Sequence, residues 1–319
     1  MQTIAPLWLW ITFVVIVLVS LFVDFVVLRK QGAHEIGARE ALNWSLIWIA
    51  MSFLFNGLFW WAVRDSTGST EIANTRSLEF LTGYLIEKSL AVDNIFVFLM
   101  IFTYFAVPAA YQKRVLMIGI VGAIVLRTVM ILVGGWLLAH FHWILYVFGA
   151  FLVLTGVKMW WAAGKEPDLS DNPALRLLRR WMPVSKQYDG ERFWTVENGK
   201  RIATPLLMVI SLVALTDVIF AVDSIPAIFA ITSDPFIVLT SNVFAILGLR
   251  AMYFLLAAVA NKFHLLNHGL AIILVFIGTK MCLIDIYKIP VGASLGVVVG
   301  ILAVTMWLSV RTSVRVPKH

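Results

Sequence analysis

Glu87-Lys-Ser-Leu-Ala-Val-Asp93-Asn94 and Asp217-Val-Ile-Phe-Ala-Val-Asp223-Ser224 decide how this chain is read. Each runs acid, five residues, acid, then a small amide or hydroxyl, with Ala-Val before the second acid. Both lie well inside apolar segments, where a charged residue at a helix centre costs about 2.5–3.5 kcal/mol on an insertion scale. Four acids facing lipid would therefore cost roughly 10–14 kcal/mol, comparable with the whole stability of a domain. They must face the protein interior and be compensated by water, protons, cationic side chains or a bound cation.

The segments around them are of one kind. The 319 residues are 61% hydrophobic and only 13% charged, with a mean hydropathy of +0.91. Soluble domains carry roughly 25% charged residues, so a soluble enzyme, a nucleic-acid binder and a disordered scaffold are all excluded. Nine stretches reach the roughly 20 apolar residues that a spanning helix needs: 7–28, 41–63, 78–105, 113–138, 141–163, 203–233, 236–260, 264–286 and 290–310. The first reads as a span rather than a cleaved leader, because Met1 to Pro6 carries no positive charge and the apolar run is too long. The third and sixth are longer than a bilayer requires, which implies tilt or a break. The expected fold is all-α: a polytopic membrane protein of nine transmembrane helices forming a single domain over 1–319.

With the N-terminus outside, the inner connections hold seventeen Lys and Arg and the outer ones three (Arg64, Arg76 and Lys288). The positive-inside rule then places the N-terminus in the periplasm and the C-terminus in the cytoplasm. The formal charge of +7 is thus an orientation signal and implies no nucleic-acid partner.

The two acidic stretches head a repeat. Gly122…Arg127 in the fourth span parallels Gly248-Leu-Arg250 in the seventh, and Gly156-Val-Lys158-Met159 in the fifth parallels Gly278-Thr-Lys280-Met281 in the eighth. The offsets are 130, 123 and 122 residues, with units at about 78–163 and 203–286 and a cytoplasmic connection, 164–202, between them. Three-helix units in tandem enter the membrane from opposite sides because three is odd. Such inverted repeats are common in secondary transporters, whose sites lie near the midplane.

Residues seven apart share nearly one helix face. Glu87 therefore aligns with Asn94 and Asp217 with Ser224, while Asp93 and Asp223 point about 100° away. Pro226 has no N–H, so the Val222 carbonyl loses its helical partner and becomes a further donor. The candidate metal site is Glu87, Asp93, Asn94, Asp217, Val222, Asp223 and Ser224, an all-oxygen set suited to hard divalent ions such as Mg²⁺, Ca²⁺ or Mn²⁺. All six histidines fall at span ends, in connections or at the C-terminus, and His140 and His142 read as solvated interfacial residues ahead of the alternative that they scavenge metal outside. A lone Cys282 makes no internal disulfide or thiolate cage. Five cations lie within spans. Lys158 and Lys280 are near enough to an end to snorkel, Lys88 adjoins Glu87, and Arg127 and Arg250 sit deeper. Two deep arginines do not neutralise four acids, so a proton or cation is left to explain; the arginines would hold the acids when the ion is absent, or stabilise their helices.

The remaining features read plainly. Asp24 and Asp285, near span ends, are expected to be solvated. Trp60, Trp61, Trp143, Trp160 and Trp161 fit an interfacial aromatic belt. Within 164–202, Asp171-Asn-Pro173 starts a helix ahead of an amphipathic run from Ala174 to Trp181, and Asn198-Gly199 turns a hairpin over 192–202. Both read as a small surface element without visible chemistry.

The two acidic motifs, the second extended to Ile225-Pro226, together with Asp234-Pro-Phe-Ile-Val-Leu-Thr-Ser-Asn-Val-Phe-Ala-Ile-Leu-Gly-Leu-Arg-Ala-Met-Tyr253, closely resemble the TerC family of bacterial integral membrane proteins, in the form of its Alx-type members. The resemblance covers essentially the whole chain. It implies an inner-membrane location and links to tellurium resistance, the alkaline-pH response and manganese homeostasis, with Alx-type members viewed as Mn²⁺ exporters. An older label, membrane-bound redox modulator, finds no support in one thiol and no CxxC, haem-ligand or dinucleotide motif. The resulting expectation is a non-enzymatic exporter of a divalent cation working by alternating access. Mn²⁺ is its substrate, no cofactor is resident, and protons serve as counter-ion at the same carboxylates. The alternatives are a non-transporting partner in a tellurium-resistance complex, a membrane redox protein dependent on Cys282, and a transporter of Ca²⁺ or H⁺.

Overall fold

A computed structural model describes residues 3–31, 38–141, 143–162, 184–185, 187–197, 199–259, 265–283, 285–287 and 289–313. Ten helices and one hairpin are described: α1 (Leu7–Gln31), α2 (Ala38–Thr67), α3 (Thr70–Tyr104), α4 (Ala109–His140), α5 (Ile144–Ala162), β1 (Trp194–Glu197), β2 (Lys200–Ala203), α6 (Pro205–Phe229), α7 (Pro235–Ile246), α8 (Leu249–Val259), α9 (Leu266–Cys282) and α10 (Val291–Ser313). Among the described residues six helices are long and apolar enough to cross a membrane, or seven if the bent pair α7–α8 is one span. α3 is too charged for that criterion, holding Glu79, Glu87, Lys88 and Asp93, and α9, with 17 residues, is too short.

Local chemistry sets the boundaries. The Ser69 side chain accepts from the Ile72 N–H to cap α3. Proline occupies the first turn of α6 and of α7, where its missing N–H is harmless. Asp234 caps α7 by accepting from the Phe236 N–H, and its carboxylate also takes the Thr3 hydroxyl and the Ile4 N–H, tying the start of the chain to α7. α6 continues through Pro226 to Phe229. The break instead falls in the seventh stretch. Gly248 at φ +81° ends α7, and α8 leaves at 42°. A Cβ on Gly248 would lie 2.6 Å from the Trp48 ring of α2, so both the backbone conformation and the space require glycine.

α5 and α9 cross with their backbones in close approach. A Cβ on Gly149 would meet the Gly278 carbonyl at 2.8 Å, and one on Gly156 would meet the Ala271 carbonyl at 2.7 Å. The register is antiparallel with small residues seven apart on each helix, which lets the backbones approach as they do in membrane helix pairs. Around this pair α3 packs on α7 and α6, and α4 packs on α6.

Two apolar cores result. One joins Tyr84, Ile86 and Leu90 of α3 with Ala221, Ile225 and Phe229 of α6 and an aromatic cluster of Phe13, Phe55, Phe59, Phe80, Phe236 and Phe244. The other joins Ile95, Phe98 and Phe102 of α3 with Leu116, Ile120 and Ala123 of α4 and Val209 and Val213 of α6. The hairpin lies at the far end of the second core, Trp194 opposite Ala203 and Glu197 opposite Lys200, with Gly199 at φ +74° in the predicted turn. The Tyr188 hydroxyl donates to the Phe105 carbonyl at 2.7 Å, and burial pushes its pKa up to about 12. Arg114 pairs with Glu191 at 2.7 Å. The predicted helix start at 171–173 and the run 174–181 lie outside the described residues.

Two sequence expectations are corrected. Asp24 is buried rather than solvated and accepts from Arg250 at 2.6 Å. Lys280 does not snorkel; it is buried and donates to the Ser294 hydroxyl at 3.0 Å. Lys158 is exposed as expected, as are Trp61, Trp143, Trp160 and Trp161. Asp285 is also exposed and accepts a hydrogen bond from the Tyr146 hydroxyl.

Candidate cation site at a buried carboxylate layer

Between the two apolar cores lies a layer of charge. Leu90 belongs to one core and Ala91 to the other on α3, and the change falls between Val213 and Ala221 on α6. Glu87, Arg127 and Asp217 sit at this boundary, with relative exposures of 0%, 1% and 6%. One guanidinium serves two acids from different helices, α3 and α6: Nη1 of Arg127 pairs with Oε1 of Glu87, and Nη2 donates to Oδ1 of Asp217 at 3.1 Å. Nη1 also reaches the Ser224 hydroxyl at 3.2 Å. Asp217 and Ser224 thus meet one partner, as their seven-residue spacing requires.

Asn242 of α7 completes the layer by donating from Nδ2 to Oε2 of Glu87 at 3.1 Å. A carboxylate accepts, so the amide nitrogen must face Glu87 and the amide oxygen must point elsewhere. Two acceptor oxygens, Oδ1 of Asn242 and Oδ2 of Asp217, are buried with no hydrogen-bond partner among the described residues. An unpartnered buried acceptor costs about 1–3 kcal/mol, more when it is charged. Nε of Arg127, a buried donor, likewise has no partner among the described residues, so the layer leaves acceptors and a donor unmatched.

The remaining predicted members are less concentrated. Asn94 is buried. The Val222 side chain is 42% exposed, so that residue lies on the outward face of α6. The side chains of Asp93 and Asp223 lie outside the described residues. Among the described residues no three acidic, His or Cys side chains gather as a metal site. Lys88 turns from the layer and donates to the Ala245 carbonyl at 3.1 Å, in the last turn of α7, where the partial negative end of a helix favours a cation. Arg250 is not in the layer, since Asp24 holds it.

Sequence reasoning passed over Asn242 and the Asp24–Arg250 pair. A lone amide in an apolar span is a weak signal. Its position carried a stronger one: Asn242 lies 123 residues after Gly119, the spacing that separates Arg127 from Arg250.

The profile of the integral membrane protein TerC family matches residues 72–316. The chain belongs to the TerC family. A relative from Escherichia coli K12, provisionally named membrane-bound redox modulator Alx, is 54% identical over 319 residues, covering 100% of this chain and 99% of its own. One of the same name from Photorhabdus laumondii is 55% identical over 304 residues, 95% of this chain and 94% of its own. The uncharacterized membrane protein STKORF319 of Myxococcus xanthus is 48% identical over 309 residues, 97% and 94%. None of these names is enzymatic. No solved structure matches. Together with the apolar helices, the family makes this TerC-family chain an integral, multi-pass membrane protein.

Proposed function

We propose that this protein is a bacterial inner-membrane exporter of a divalent metal cation, Mn²⁺, and that the carboxylate layer is its transport site. The observation that carries the reading is the unmatched charge of a buried layer, two carboxylates on one guanidinium. Glu87 and Asp217 bring two negative charges, Arg127 returns one positive charge, and two further acceptor oxygens stand unpartnered. A divalent ion replacing the guanidinium would balance the carboxylate pair outright and give Asp217 Oδ2 the positive partner it lacks. The donors are all oxygen, which suits a hard ion. Ligands from Asp93, Asn94, Asp223 and Ser224 belong to the same proposal, whereas the Val222 carbonyl, on the outward face of α6, does not. Mn²⁺ itself comes from the family resemblance.

Alternating access rests on nine spans with inverted repeats. The α5–α9 crossing supports that symmetry. The 122-residue offset carries Gly149 to Ala271 and Gly156 to Gly278, and the observed contacts pair Gly149 with Gly278 and Gly156 with Ala271. Exchanging the repeats turns each contact into the other, as a two-fold axis through the crossing requires. In the same way, α3 on α7 exchanges with α6 on α4. The apolar cores on either side of the layer would serve as alternating barriers. Arg127 would hold the acids while the ion is away, and proton exchange at the same carboxylates would drive export.

Everted vesicles carrying wild-type protein should accumulate Mn²⁺, and Glu87→Gln, Asp217→Asn, Asp93→Asn and Asp223→Asn should each lower uptake at least tenfold. Wild-type rates in Glu87→Gln and Asp217→Asn would end the proposal.

The relatives' provisional name favours redox modulation as a second reading. The sequence offers one thiol, Cys282, at the end of α9 beside the Tyr146 carbonyl. Loss of function in Cys282→Ser with wild-type metal uptake would favour redox over transport.

A further inference from the structure

The layer is not symmetric about the two repeats. Asn242 closes the Glu87 carboxylate with an amide. Its counterpart by the 123-residue offset is Gly119, whose lack of a side chain leaves the Asp217 carboxylate without that closure. A cavity occupies the space. Phe98, Gly119, Ala123, Val213 and Asp217 line it together with apolar residues of α4, α7 and α8. Apart from Asp217 the named walls are apolar, and Oδ2 of Asp217 is the buried oxygen with no partner among the described residues. The cavity is narrow, with room for roughly one water.

Its direction follows from helix register. Gly119 lies eight residues before Arg127 on α4, Val213 four before Asp217 on α6, and Phe98 eleven after Glu87 on α3. At 1.5 Å per residue these walls extend about 6 to 16 Å from the charged layer. All three are displaced toward the helix ends that meet the Phe105–Pro108 turn and the hairpin, which is the cytoplasmic end in the orientation set by the Lys and Arg distribution. Apolar walls ahead of a charged site form a barrier that gates by wetting and dewetting.

We propose that this cavity is the cytoplasmic loading vestibule, through which a small divalent cation, stripped of nearly all its water, reaches Asp217, and that Gly119 keeps it open. The inference rests on the transport reading of the carboxylate layer and gives that site an entrance and an order of contact, Asp217 before Glu87.

Gly119→Leu places a branched side chain where a Cβ already approaches Cγ1 of Val213 at 3.3 Å, so it should fill the cavity. Gly122→Leu, three residues along the same helix, meets nothing within 4 Å and is the control. In everted vesicles supplied with Mn²⁺, uptake should fall at least tenfold in Gly119→Leu and stay within twofold in Gly122→Leu. A second arm guards against misfolding. Gly119→Cys in a Cys282→Ser background should react with a membrane-impermeant thiosulfonate in everted vesicles but not in right-side-out ones, and Mn²⁺ should slow the reaction. Normal uptake by Gly119→Leu while Asp217→Asn is inactive overturns the vestibule and leaves the transport site standing. Labelling from the outer face only, or labelling indifferent to Mn²⁺, also overturns the vestibule. Normal uptake by Asp217→Asn overturns the transport reading beneath it.

Discussion

Arg127 and Arg250 fall at parallel places in the sequence, yet they meet different partners. Arg127 joins Glu87 of α3 to Asp217 of α6, whereas Arg250 is drawn to Asp24 on α1. A buried charge that loses its partner costs about 3–5 kcal/mol, while replacing both partners with apolar groups of similar volume is often neutral. Asp24→Asn should therefore lower the stability of detergent-solubilised protein by about 3–5 kcal/mol, and Asp24→Leu with Arg250→Met should recover most of that loss. If Asp24→Asn melted like wild type, the ion pair would have no structural weight. The acids and the deep arginines were legible in the sequence because charge in an apolar span is expensive wherever it occurs. Their partners were not. Distance from a span end measures depth and says nothing about the neighbouring helix, so Asp24 read as solvated when Arg250 was beside it.

Between α7 and α8 a single residue sets the bend. Gly248 holds φ +81° under the Trp48 ring of α2, while the position matching it by the arginine offset, Val125, lies inside the unbroken helix α4. A β-branched residue is a poor fit to a positive φ, so the bend after α7 and the unbroken run of α4 are both written in side-chain chemistry. Gly248→Ala should cost about 1–3 kcal/mol from backbone strain, with a further loss from the clash with Trp48. Trp48→Ala should remove only the second part, so a thermal-melt double-mutant cycle that shows full rescue would refute the strain. The stretch 236–260 reads as one span because its hydropathy runs uninterrupted across Gly248, and a lone glycine does not announce a break until the residue covering it is known. The Asn198-Gly199 hairpin was legible for the opposite reason, since its two-residue loop is a local signal and needs no tertiary partner.

At the scale of the whole molecule, direction depends on orientation. The cavity beside Asp217 lies on the hairpin side of the layer, and the connections that the sequence assigns to that side hold most of the Lys and Arg. If that end is cytoplasmic, the cation loads from the cell interior and the protein exports. If the chain were inserted the other way, the same geometry would load from outside and the site would serve uptake. Seventeen basic residues against three leave the positive-inside rule little ambiguity. A C-terminal green fluorescent protein fusion should therefore fluoresce and a C-terminal alkaline phosphatase fusion should be inactive. Arg201→Cys on the hairpin, in a Cys282→Ser background, should react with an impermeant thiol reagent in everted vesicles and be protected in intact spheroplasts. An active phosphatase with labelling in spheroplasts would invert the topology, and with it the sense of transport, while leaving the carboxylate layer as it stands.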